Sequence, residues 1–220
     1  KLSTTVNDLL NGKNIKIKEY SHETGKFDSE KIIESKDFLI LNSLHGLYIK
    51  KINNLSKLKI FLNPSHDIKK KWKIDRDILM RNKNLSEVEK QIESRSEDFI
   101  QYIYNQRNES DITFSLLSEE NDNFELEIDL FYSSFIPNIL ASLDEYLEIE
   151  AYFDKESLRV RYVLKGKIDS RIVEKIFKEH FKQIDEILPT TQTFQPNHKG
   201  IMQIFSMALL FEESLNDENF

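Results

Sequence analysis

The sequence predicts an α/β protein in two parts: a mainly parallel sheet first, then a smaller α+β region with an antiparallel sheet. Three observations predict it. Up to residue 118, short continuous apolar runs alternate with helical patterns, as in a parallel sheet covered on both faces. From residue 124 the strands alternate strictly between apolar and polar residues, which marks a sheet with one wet face. Between them Glu119-Glu120-Asn121-Asp122-Asn123 is a polar, acidic connector. The expected domains are therefore 1–118 and 119–220.

The composition sets bounds on function. The chain has 220 residues, 39% hydrophobic and 31% charged, which suits a water-soluble globular protein. A net charge of −7 argues against general nucleic-acid binding, which favours a basic surface. There is no cysteine, so no disulfide and no thiolate metal site, in keeping with a cytoplasmic location. No apolar run approaches the ~20 residues needed to span a bilayer, so no membrane partner is expected. The chain begins with Lys1 rather than Met, as expected of a fragment or a processed product.

In order, residues 4–12 read as a short helix with Val6, Leu9 and Leu10 apolar and Gly12 at its end. Ile15-Lys16-Ile17-Lys18 is extended, and Tyr20 to Lys26 is a polar loop turning at Gly25. Phe38-Leu39-Ile40-Leu41 and Lys57 to Leu62 are buried-type strands. Residues 66–80 form a basic helix. Ser86 is placed to cap a long helix over 87–106, with Glu89 at the capping-box position. Asp111 to Ser115 is another buried strand.

In the second part, Phe124, Leu126, Ile128, Leu130 and Tyr132 face one way, with Glu125, Glu127 and Asp129 opposite. A helix follows from Pro137 to about Glu145. Residues 147–153 and 158–164 then form a hairpin. Pairing Phe153 with Leu158 sets Ala151 against Val160, Ile149 against Tyr162 and Glu150 against Arg161. Residues 169–188 carry a broad apolar stripe that includes His180. A last helix, 199–214, is apolar enough to be core or a subunit contact. The order is β-α-β-β-α-α.

Several residues could carry chemistry. Lys69, Lys70, Lys71, Lys73, Arg76 and Arg81 gather on or beside one helix. They are either a clamp on phosphate oxygens or a solvated face. His45 follows a predicted strand at its carboxyl end, where α/β sheets hold ligands; it is either a substrate contact or a turn histidine. His22, in the polar loop, is equally open. His180 reads as packed, and His66 and His198 sit at helix starts. No two histidines have metal-ligand spacing. Glu148 and Glu150 lie on the wet strand face, with Arg161 as the expected partner of Glu150.

Four segments together resemble the uridine kinase and phosphoribulokinase family of P-loop kinases. Asp8-Leu9-Leu10-Asn11-Gly12-Lys13 leads to Glu19-Tyr20-Ser21-His22-Glu23-Thr24-Gly25-Lys26, like the family's Tyr-Asp loop ending in Thr-Gly-Arg. Leu39 to Leu47, with Asn42 and His45, resembles the family's strand ending in Glu-Gly-Leu-His-Ala-Leu. After Ile60-Phe61-Leu62 come Asp67, Lys69, Lys73, Arg76-Asp77 and Met80-Arg81-Asn82, like its Arg-Asp segment. Asn105 to Ile112 occupies the place of its Pro-x-Lys-x-x-Ala-Asp-Ile segment.

The resemblance implies a parallel sheet of P-loop kinase type, here incomplete at the N-terminus. It implies ATP and Mg²⁺ as cofactors and a nucleoside or sugar hydroxyl as phosphoryl acceptor. Tyr20, His22 and His45 would face the acceptor. Lys73, Arg76 and Arg81 would belong to a lid over the nucleotide phosphates. A homo-oligomer through the C-terminal region is a further expectation.

Three departures qualify the resemblance. No Gly-x-x-x-x-Gly-Lys-(Ser/Thr) loop is present, the glycines at 12, 25, 46, 166 and 200 being too scattered. Ser21 stands where the family has Asp, and Asn42 where it has Glu. Neither side chain can act as a carboxylate base or hold Mg²⁺ as one. Two expectations follow: a piece of a longer kinase whose P-loop lies upstream, or a catalytically impaired relative that serves as a ligand-binding or oligomerisation module.

Overall fold

The computed structural model describes residues 2–21, 24–81, 83–182 and 192–217. The chain forms two compact units, Lys1–Ser56 and Lys57–Phe220.

In the first unit, α1 (Leu2–Leu10) buries Val6 and Leu9 on one face. It stops at Gly12, whose φ of +80° is a left-handed conformation that glycine adopts without a Cβ penalty. Strands β1 (Ile15–Tyr20) and β2 (Phe27–Ile33) pair antiparallel, from Ile15↔Ile33 to Glu19↔Ser29. A bulge then sets Tyr20 against Phe27. Ser35 ties the end of this hairpin to α1, its hydroxyl donating to the Leu9 carbonyl at 2.7 Å. A short helix, α2 (Lys50–Asn53), buries Ile52.

The strand predicted at residues 38–41 does not form; the segment is irregular, and Phe38 and Ile40 are 70% and 92% exposed. Apolar side chains do not suffice for a strand, whose backbone needs a ladder partner. Among the described residues of this unit, β1 and β2 pair only with each other.

The second unit holds one five-stranded sheet in the order β3-β4-β5-β7-β6. Strand β3 (Ile60–Leu62) runs parallel to β4 (Ile112–Glu120), with Ile60 opposite Ile112. The remaining pairs are antiparallel: β4 with β5 (Asn123–Phe131), β5 with β7 (Arg159–Gly166), and β7 with β6 (Leu147–Asp154). The architecture is α/β with a mixed sheet.

The boundary expected at 118/119 falls inside β4. The acidic connector is the tip of the β4–β5 hairpin, where Asn121 and Asp122 have φ of 49° and 66°. Two successive positive φ values are what a tight hairpin turn of matching twist requires, and Asn and Asp tolerate them. One sheet therefore runs through both predicted regions, and the compact division lies at Ser56/Lys57 instead.

From β5 onward the elements come in the order read from the sequence: α6 (Ile136–Leu143), β6, β7, α7 (Ser170–His180) and α8 (Asn197–Asp217). The later part of the predicted 169–188 helix lies outside the described residues. Phe114, Leu116, Leu126, Ile128 and Leu130 of the sheet share one core with Ile139 and Leu143, with Val173, Ile176 and Phe177, and with Ile201, Ile204, Phe205 and Ala208. The apolar face of α8 is thus core. No helix among the described residues is long and apolar enough to cross a membrane.

The β6–β7 register differs from expectation by two residues. Phe153 lies opposite Val160 and Ala151 opposite Tyr162, with Glu150 opposite Val163. The loop has the expected four residues but falls one position later, at 155–158, because Asp154 closes it, accepting from the Glu156 N–H at 2.9 Å and the Ser157 hydroxyl at 2.6 Å. A two-residue shift keeps every side chain on its face, so the apolar pattern is satisfied equally. The charges re-pair: Glu150 lies 3.6 Å from Lys165, and Arg161 lies 3.7 Å from Glu127.

Helix α4 (Leu85–Glu93) also departs from expectation. Its cap is Asn84, whose Oδ1 accepts from the Glu87 N–H at 2.8 Å, not Ser86. The helix ends at Ser94. The chain continues as a short turn, α5 (Ser96–Asp98), a wide turn over Phe99–Ile103 and a tight one over Tyr104–Glu109. The hydroxyls of Ser94 and Ser96 donate to the carbonyls of Gln91 and Glu93, local bonds that compete with a continuous helix. Asn84→Ala is expected to destabilise the fold by about 1 kcal/mol. Ser86→Ala should leave it nearly unchanged, as read by urea unfolding of both variants.

Candidate functional site

The site is built where β3 hands over to α3 (His66–Leu79). Beyond β3 the chain continues alongside β4: the Asn63 and Ser65 N–H groups donate to the Phe114 and Leu116 carbonyls, both at 2.8 Å. Ser65 then caps α3 by accepting from the Ile68 N–H. The helix therefore starts from a position set by the parallel pair β3 and β4.

Along α3 and just past it, Lys73, Asp77 and Arg81 recur every four residues and so share one face. Asp77 is 1% exposed. Its Oδ1 accepts from Arg76 Nε at 2.9 Å and from Arg81 Nη1 at 3.2 Å, and Lys73 Nζ stands 3.6 Å from its Oδ2. Burial alone would push the Asp77 carboxyl up. The hydrogen bond from Arg76 and the charges of Arg76, Lys73 and Arg81 outweigh it and hold the carboxyl below its ordinary range.

Three cations and one carboxylate leave two positive charges. The side chains of Lys73, Arg76 and Arg81 keep 23%, 48% and 34% of their surface exposed, so the cluster presents cationic groups to solvent around a buried anchor. That arrangement can take up an anion with several oxygens, Arg contributing its fork and Lys a point charge. Sequence reading placed Asp77 in the Arg-Asp segment but missed its position as the hub of the three cations. The four-residue spacing was the signal.

Three further cations of the basic stretch are engaged locally. Lys69 donates to Asn63 Oδ1 at 2.9 Å and lies 4.4 Å over the Phe99 ring, and burial lowers its pKa. Lys70 pairs with Glu89 at 3.1 Å, and Lys83 donates to Gln91 Oε1 at 3.2 Å.

The expected acceptor contacts belong to the first unit. Tyr20 ends β1 with its ring edge-on to Phe27 at 5.2 Å. Ser21 organises the loop: its N–H donates to the Lys26 carbonyl, its carbonyl accepts from the Gly25 N–H, and its Oγ accepts from the Thr24 N–H at 3.2 Å. His22 lies outside the described residues. His45 is exposed, 6.5 Å from the Tyr48 ring, in a turn. It does not end a strand, because residues 38–41 form none. Asn42 is exposed in the same irregular segment. Further along the chain, the His180 Nε2 bonds the Ser142 hydroxyl at 2.9 Å.

The Phosphoribulokinase / Uridine kinase family matches residues 1–122, more than half of the chain and up to the β4–β5 tip. The chain belongs to this family. It is 36% identical over 112 residues to the chloroplastic phosphoribulokinase of Chlamydomonas reinhardtii, covering 51% of this chain and 30% of that protein. It is 32% identical over 115 residues to the chloroplastic phosphoribulokinase of Spinacia oleracea, covering 52% and 29%. It is 30% identical over 112 residues to the phosphoribulokinase of Synechocystis sp., covering 51% and 34%. The matched part is thus about a third of the length of these relatives. The cluster on α3 lies inside the family match.

The family name implies a kinase, and with it ATP and a divalent cation. The Lys73, Arg76 and Arg81 cluster fits phosphate oxygens. Among the described residues no group of three or more acidic or imidazole side chains gathers in a way that could hold a metal ion.

Proposed function

We propose that this chain is part of an ATP-dependent phosphotransferase that moves the γ-phosphoryl group to a hydroxyl of a sugar or nucleoside. Lys73, Arg76 and Arg81 would touch phosphate oxygens during transfer. The observation that carries the reading is their convergence on one buried carboxylate within the family match. Asp77 holds the guanidinium groups in place beforehand, so that little reorganisation is needed as charge develops in the transition state. ATP supplies the group transferred. The relatives' printed name favours a phosphorylated ribulose as acceptor, with uridine as the family's other named substrate class. Tyr20, His22 and His45 are the proposed acceptor contacts. A cytoplasmic location and self-association through residues 119–220 complete the proposal.

The test is ADP release by the protein together with whatever sequence precedes Lys1, offered ATP with phosphorylated ribulose or with uridine. Turnover with one of them supports the reading, and turnover with neither overturns it.

One observation favours the second reading, a catalytically impaired relative that binds a ligand or oligomerises. Ser21 and Asn42 are neutral where the family has acids, and Ser21 uses its hydroxyl to close its own loop. Under this reading ADP release is weak and Ser21→Asp with Asn42→Glu raises it.

A further inference from the structure

His198 is the second residue of α8 and only 4% exposed. Its ring is edge-on to Phe124 of β5, with centroids 6.1 Å apart. Its Nδ1 is buried with no hydrogen-bond partner, and the nearest carboxylate oxygen, Glu119 Oε1 of β4, stands 3.6 Å away, too far for a strong hydrogen bond. The residue before it is a tie point: the Asn197 N–H donates to the Ile168 carbonyl at 2.9 Å, and Asn197 Oδ1 accepts from the Ile168 N–H at 3.0 Å. The start of α8 is therefore clasped to Ile168, just past β7, and packs its buried imidazole against Phe124 of the sheet.

We propose that His198 is an acid-sensitive latch, which as neutral imidazole holds the first turn of α8 against the β4–β5 hairpin and on protonation releases it.

The physical balance is local. A proton would place a cation among Phe124 and core side chains, where the charged form is penalised. Glu119, on β4, is the group that favours the cation; Lys199, next along α8, opposes it. The positive end of α8 also opposes it. From β5 the ring of Phe124 faces His198 and carries no charge. At the same end of the sheet, Lys167 and Asp122 neutralise each other at 2.9 Å. Burial outweighs Glu119, and the pKa of His198 lies below the ordinary histidine value.

The sign follows. Unfolded chains bind the proton near about pH 6.5, while the folded chain resists it until lower pH. Stability contributed by the closed latch is thus fully present above about pH 6.5 and is lost as pH falls through the folded value.

The test is amide hydrogen exchange of residues 197–201 between about pH 7.5 and 5, corrected for intrinsic rates, with NMR titration of the His198 ring. Exchange is expected to accelerate at least several-fold as pH falls in the wild-type chain and to stay flat in His198→Phe, which keeps an aromatic ring. Glu119→Gln removes the one favourable partner and should move the transition to lower pH. This second variant lies on an exposed side chain and tests the idea even where His198→Phe fails to fold. Exchange independent of pH, an ordinary His198 titration, or an unmoved transition in Glu119→Gln would each overturn the latch.

Discussion

Under the proposed phosphotransferase reading, Arg76→Met is expected to lower kcat/KM by about 10²- to 10³-fold, the size of effect seen when one preorganised donor to a developing charge is lost. Arg76 is the strongest candidate for that donor. Its Nε is committed to Asp77, which restrains the plane of the guanidinium, while nearly half of the side chain remains exposed. A fork restrained at Nε and partly exposed is suited to a phosphate. Arg81→Met should follow with a similar loss, since Arg81 binds the same oxygen of Asp77 through Nη1. Lys70→Met is the control: Lys70 is also a cation of α3 but pairs with Glu89, and its loss should change kcat/KM less than about threefold. Steady-state kinetics at one ionic strength, with circular dichroism to confirm folding, decide the matter. Wild-type kinetics in Arg76→Met would reduce the cluster to a structural ion group.

That alternative has a physical basis, because a buried carboxylate surrounded by cations is also how a helix end is fixed. The two roles separate in Arg76→Lys. A structural ion pair tolerates lysine, which retains the charge beside Asp77. A phosphate clamp does not, because the planar fork is lost.

The sequence shows the second half of the fold well, because its strands alternate and each helix has one apolar stripe. Phe124 to Leu130 and the order of the later elements could be read directly. The β6–β7 hairpin shows the limit of that reading. Side-chain alternation has a period of two, so it could not distinguish two registers that differ by two residues, and Asp154 settled the matter through loop hydrogen bonds. Residues 38–41 were misread for the opposite reason: composition marks a strand, but pairing makes one. The break after Ser94 came from serine hydroxyls competing with the helix, which apolar periodicity does not register. For the candidate site, the cations of α3 were visible as a charge run. Their organisation around Asp77 was also present, in the spacing of Lys73, Asp77 and Arg81. The burial of His198 was not visible at all, because it depends on Phe124 of β5 and Glu119 of β4 lying beside the start of α8.

Gly200→Ala is the substitution expected to cost the fold most among single methyl additions. A Cβ at this position would stand 2.2 Å from the Gln195 carbonyl oxygen and 2.7 and 2.9 Å from the two methyl groups of Val173. Helix propensity alone would favour alanine by about 1 kcal/mol, so the sign rests on whether the neighbours can move. Val173 cannot readily do so, being fully buried at the α7–α8 contact. Gln195 is held as well: its N–H donates to Gln203 Oε1 at 2.9 Å, and the Gln203 Nε2 donates to the Thr193 carbonyl at 3.1 Å. The clasp from Gln203 keeps the 193–195 segment over Gly200. Overpacking against backbone that is pinned in this way is expected to destabilise by about 2–3 kcal/mol, or roughly 5–10 °C in Tm for a chain of this size. Val173→Ala in the same chain should relieve little, because the tighter contact is with the carbonyl. Gln203→Ala should relieve more of the added loss, since it frees the carbonyl to shift, and a double-mutant cycle measures that coupling. A Gly200→Ala chain as stable as the wild type would mean that α8 and the 193–195 segment do not approach as closely in solution as they do in this structure.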